Sequence, residues 1–123
     1  MNNNVDMTYL AGLDLSSHQY KLVKFSGAYV ILSSTRGDIA GVLQNKPDAQ
    51  EKPAIVRHSG ISLVVTDGGI SAGNQIISDS SSRADTGTIG TGTGVGTAGV
   101  ALQTDGGAGS QVQALISVGA IQL

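Results

Sequence analysis

Gly87-Thr88-Ile89-Gly90-Thr91-Gly92-Thr93-Gly94-Val95-Gly96-Thr97-Ala98-Gly99-Val100-Ala101-Leu102-Gln103-Thr104-Asp105-Gly106-Gly107-Ala108-Gly109 can be read in two ways, and the choice decides the fold. Its centre, Gly94 to Gly99, is a literal G-x-G-x-x-G. That pattern holds a dinucleotide only when a buried strand delivers the glycines to a helix N-terminus, whose free N–H groups and dipole bind the pyrophosphate. Here Ile89 is the lone apolar residue between Thr88 and Thr93, and the run after Gly99 stops at Asp105-Gly106-Gly107, leaving no room for a helix. No lysine follows Lys52, so a phosphate-gripping P-loop fails as well. The stretch therefore reads as turns and strand connections of an all-β protein: a Gly/Thr-rich loop at 87–96, with the sheet resuming from Thr97 to Leu102.

Working outward, the same texture continues. After the loop, Val112, Ala114, Ile116 and Val118 alternate with Gln111, Gln113, Leu115 and Ser117, which predicts a closing strand with one fully apolar face. Upstream, Tyr20–Phe25 and Ala28–Leu32 flank Ser26-Gly27 as a hairpin, and Ile39–Gln44 forms a further β-rich run. Residues 45–52 are a polar loop closed by Pro53. Ala54–His58 and Ile61–Val65 are expected to turn at Ser59-Gly60, and Asp67-Gly68-Gly69 and Ala72-Gly73-Asn74 mark further turns before Gln75–Ser78. Residues 1–18 fit neither period and read as an extended N-terminal arm. The expected fold is an all-β barrel or sandwich of about 7–9 short strands, a single domain over residues 19–123 behind the arm.

Composition limits what such a domain can do. Eighteen glycines in 123 residues raise the entropic cost of folding, so association would stabilise the chain. A net charge of −2 gives no attraction for phosphate backbones, and nucleic acid is not an expected partner. No apolar run approaches a membrane span, no positive charge precedes Lys21 as in a signal peptide, and a cytoplasmic site of synthesis is expected. Without cysteine, disulfides and thiolate metal sites are excluded.

Candidate chemistry is sparse. His18 and His58 are the two imidazoles, and no G-x-S-x-G elbow accompanies them, so no catalytic residue and no enzymatic activity are expected. Asp67, Asp79, Asp85 and Asp105 lack calcium-loop spacing and read as turn and cap residues; no metal or cofactor is assigned. The four aromatics, Tyr9, Tyr20, Phe25 and Tyr29, are expected to serve packing rather than a stacking platform for sugars.

Asp14-Leu15-Ser16 with Gln19–Lys24, Gly41–Pro47, Val56-Arg57-His58-Ser59-Gly60, Ser71–Ile76 with Asp79 and Arg83-Ala84, and Gly99–Leu102 before Val112 and Ile116 together resemble the small capsid decoration (cement) proteins of tailed bacteriophages. The resemblance spans residues 14–123 and rests on glycine and apolar spacing. It implies a barrel-like structural virion protein that clusters, often as homotrimers, on the capsid exterior and bridges neighbouring major capsid proteins. The Gly87–Gly96 tract departs from that compact pattern. Val5, Met7, Tyr9, Leu10, Leu13 and Leu15 in the arm are the expected capsid or subunit contacts. A receptor-binding or adhesive β module of a phage tail or fibre is the alternative.

Overall fold

The computed structural model describes residues 4–33, 39–79, 81–87 and 96–120. They form nine strands: β1 Val5–Ala11, β2 Leu22–Ser26, β3 Tyr29–Leu32, β4 Gly41–Leu43, β5 Pro53–Val65, β6 Gln75–Ser78, β7 Ala84–Gly87, β8 Gly96–Ala101 and β9 Gln111–Ala120. Among the described residues there is no helix, and the expected all-β class is met by one nine-stranded sheet. The Gly/Thr-rich loop expected at 87–96 falls, at 88–95, outside the described residues.

The sheet folds back on itself twice. Its order is β1-β3-β2-β4-β5-β9-β8-β6-β7, and β1 also pairs with β5, closing a ring of β1, β3, β2, β4 and β5. At the other end a parallel bridge from Thr66 to Ala84 brings β7 back beside the end of β5. Closure of this kind shortens the exposed sheet edge. Two cores result. Ala11, Leu15, Val23, Val30, Leu43, Ala54 and Val56 fill the first, and Leu22, Val42, Val64, Ile70, Ile76 and Ile116 dominate the second. Neighbouring residues of β2 (Leu22, Val23) and of β4 (Val42, Leu43) point into different cores, so these strands are a wall buried on both faces.

β5 corrects one expectation. Ser59-Gly60 is not a hairpin turn but the middle of a 13-residue strand. A hairpin needs its two runs to pair with each other, and here each finds a different partner. Residues 53–59 pair with β1 and residues 59–65 with β9, the handover falling at Ser59, opposite both Val5 and Ser117. One extra residue, His58, is accommodated where the β1 register shifts between Val5 and Asp6. Gly60 has φ +112°, and Asn4 occupies the space a Cβ would take.

The described residues of the expected arm are docked rather than free: a strand from Val5 to Ala11, then bends and turns that lead to Tyr20. Val5 to Leu10 lie opposite Ser59 to Pro53, Ala11 N–H donates to the Lys52 carbonyl (2.9 Å), and Leu15 N–H donates to that of Pro47 (2.8 Å). Their short apolar runs find partners about fifty positions away, which local periodicity cannot register.

Of the G-x-G-x-x-G, the described part from Gly96 is strand, and its last glycine, Gly99, is tightly constrained. It lies within β8, at a register shift opposite β9, with φ +150° and the Leu115 carbonyl where a Cβ would stand.

Candidate functional site

The six residues expected to make contacts separate by strand geometry. Val5, Met7, Tyr9 and Ala11 share one face of β1, opposite the inward residues of β5 (Met7 faces Val56, Tyr9 faces Ala54). Ala11 closes the floor of the first ring, and the face rises towards its mouth, where Met7 is 50% exposed and Val5 48%. Leu10 projects from the other face and Leu13 from the following turn, both exposed. Leu15 does not belong with them. It is fully buried in the first core, because the chain folds back over the ring there, so it is a packing residue. Tyr9 is half-buried and packs against the same core.

Two residues beside Tyr9 complete this mouth. Its ring meets Phe25 edge-on at 5.0 Å and His58 edge-on at 5.6 Å between centroids. The Tyr9 hydroxyl donates to His58 Nε2 (2.7 Å), because His58 Nδ1–H is committed to the Ala40 carbonyl (2.7 Å). His58 is thus a fixed brace between β1 and the segment before β4. Phe25, expected to pack, is 52% exposed. It does follow the inward alternation with Val23, but it stands near the end of β2, where Tyr9 and His58 flank it.

Charge at this end is balanced locally. Arg57 Nε and Nη2 donate to the two Asp6 carboxylate oxygens at 2.7 and 2.9 Å, and Nη1 donates to the Ile61 carbonyl. The guanidinium hydrogen bond holds the Asp6 carboxyl below its ordinary value.

A second surface lies on the outer face of β5, β9 and β8. Ile61 stands opposite Leu115, and Leu115 opposite Val100, with Leu102 just beyond β8. Ile61 and Leu115 are 49% and 47% exposed. No Asp, Glu, Lys, Arg or His occurs in Ser59–Val65, Gly96–Ala101 or Gln111–Ala120, and the rim is amide and hydroxyl: Gln111, Gln113 and Ser117. Leu115, standing alone among the polar positions of the closing strand, was the visible sequence signal for this row. Its neighbours Ile61 and Val100 become apparent only through pairing.

The acidic residues serve the turns. Asp79 Oδ1 accepts from the N–H groups of Ser81 and Arg83 (both 2.8 Å), Asp105 accepts from Ile70 N–H (3.0 Å), and Asp67 accepts from Gly69 N–H (3.3 Å). Burial, followed by its hydrogen bond with Asp85, raises Asp67 above the usual carboxylate value. Among the described residues, no group of three or more His, Cys, Asp or Glu is placed to hold a metal ion. Neither a scan against protein-family models nor a search of the curated proteins finds a match to this chain.

Proposed function

We propose that this protein is a structural component of a phage particle that binds the outside of the capsid and stabilises the shell by bridging neighbouring major capsid proteins. The observation that carries the reading is the outer face across Ser59–Val65, β9 and β8, segments without a charged residue, with its row Ile61, Leu115, Val100 and Leu102, bounded at the Ile61 end by the paired Arg57 and Asp6. Contiguous exposed apolar surface is uncommon on a monomeric protein unless another surface covers it. An exposed row of apolar side chains among uncharged neighbours suits docking on a large partner better than enclosing a small ligand. The cement-protein resemblance over residues 14–123 supplies the partner, a major capsid protein, and the arrangement, clusters of three copies on the capsid exterior. Weak contacts repeated around closed symmetry add up, which is how a small domain would reinforce a shell against internal pressure.

The test is incorporation into particles. Ile61→Asp and Leu115→Lys change exposed side chains, so melting is expected to stay within about 0.5 kcal/mol of the parent. Both are expected to reduce the amount of protein recovered on purified particles severalfold. Full incorporation of both variants would remove the face from the account. The adhesive alternative draws on one observation, the exposed Phe25 ring beside Tyr9, which could stack on a sugar. Loss of host-cell adsorption in Phe25→Ala, with particle incorporation unchanged, would favour it.

A further inference from the structure

The second ring is closed by a narrow seam. β7 pairs along its length with β6, and it meets the end of β5 at the parallel bridge from Thr66 to Ala84. Across this bridge Asp67 N–H donates to the Ala84 carbonyl (3.1 Å), while Thr66 gives its own N–H and C=O to Ser110 and Gly109. Thr66 and Ala84 are fully buried and Ala84 belongs to the second core, so the seam is where that core is sealed. In a parallel register the next residues of the two segments, Asp67 and Asp85, come side by side. Their carboxyl groups share a hydrogen bond. An ionised carboxylate only accepts, so one member of such a pair carries a proton.

The surrounding charges act in the same direction. Asp79, on the turn ahead of β7, adds a further negative charge, and Arg83 on that turn donates its Nε–H to Asp79 (3.2 Å). Asp105, on the turn ahead of β9, accepts from Ile70 N–H (3.0 Å). The chain before β2 crosses the seam, with Tyr20 C=O accepting from Val65 N–H and Leu22 N–H donating to Ser82. Its two basic side chains, His18 and Lys21, are turned to each other (3.2 Å). Burial, followed by the Asp85 contact, holds the Asp67 carboxyl above its ordinary value, as a shared proton requires.

We propose that the Asp67–Asp85 pair is an acid-closed latch on the second ring: one shared proton ties β7 to the end of β5, and its loss loosens the bridge from Thr66 to Ala84. The closed seam binds that proton more tightly than an open one, in which each carboxyl is hydrated separately. The latch is therefore shut below the ordinary carboxylate value of 3.8 and is released as pH rises through the raised value of Asp67. On release, two neighbouring negative charges separate into water and β7 is held by β6. The first ring has no part in the seam and stays closed. The latch is independent of the capsid-facing row on β5, β9 and β8.

Amide hydrogen exchange of the full chain, with the intrinsic pH dependence of exchange divided out, reads the latch at Asp67 N–H. Its protection is expected to fall about three- to thirtyfold between pH 4 and pH 7, while that of Ala11 N–H, bonded to Lys52 in the first ring, changes by less than about twofold. Asp85→Asn replaces the shared proton with an amide N–H that is present at every pH, and Asp67→Asn does so from the other side. In both variants the amide of residue 67 should keep its protection from pH 4 to pH 7. Constant protection in the parent, a fall that persists in both variants, or protection already lost at pH 4 in both overturns the proposal. An equal fall at Ala11 also overturns it, because the loss would then belong to the whole fold rather than to the seam.

Discussion

Leu13 and Leu15 are two apolar residues of one turn, indistinguishable by composition, and the fold gives them opposite roles: Leu13 is exposed and Leu15 has no exposed surface. Leu15→Ala should cost about 2–5 kcal/mol in urea or thermal unfolding, against about 0.5 kcal/mol or less for Leu13→Ala. Equal costs would mean that the segment is not packed as described. Gly99 is constrained in another way, by a positive φ and by the Leu115 carbonyl standing where a side chain would begin. Gly99→Ala should therefore destabilise by about 1–3 kcal/mol or more. Asp67 gives a pH test. Its folded pKa is raised, chiefly by burial, so its ionised form is disfavoured in the fold. The resulting penalty is absent below the ordinary carboxylate pKa and reaches full size once pH exceeds the folded value. Asp67→Asn keeps the acceptor for Gly69 and should raise the melting temperature at pH 7 but not at pH 3; a gain of equal size at both would assign it to something other than ionisation.

At the scale of elements, legibility in the sequence followed locality. The hairpin of β2 and β3 is written in adjacent residues, with Gly27 at positive φ in its turn, and β9 in a clean two-residue alternation whose inward members Val112, Ala114 and Ile116 are buried. β5 was misread because Gly60 interrupts the residue pattern like a turn, while the reason for the interruption, a change of partner from β1 to β9, lies in distant chain. β1 was misread for the complementary reason: its exposed Val5 and Met7 look like arm residues, and its bonds are to residues 53–59. The candidate contact residues were legible to the same degree, with the exposed residues of the arm found and the uncharged row across β5, β9 and β8 hidden by pairing. Amide hydrogen exchange reads β1 directly. Alternate amides of an antiparallel strand face its partner, and Ala11 N–H points to the β5 side. The Met7 and Tyr9 amides should therefore be protected and those of Asp6 and Thr8 exchange rapidly; uniform exchange along Val5–Tyr9 would contradict the pairing with β5.

Across the whole molecule, the two cores are joined through strands they share. β2 and β4 send alternate side chains into each, β5 runs through both rings, and Ser33 C=O, at the end of β3, accepts from the Ser78 and Ser82 hydroxyls of the opposite half. A single calorimetric unfolding transition is expected, with two resolved transitions contradicting a shared wall. In the proposed function, such a unit would offer a shell one face without charged residues in Ser59–Val65, β8 and β9. The central claim concerns where that face is covered, and a reconstruction of the intact phage particle carrying this protein tests it most directly. Density fitting the nine-stranded fold is expected on the outer surface of the capsid, in repeated copies that span neighbouring capsid subunits. A shell without that density, or density for this fold confined to the tail, would contradict the account.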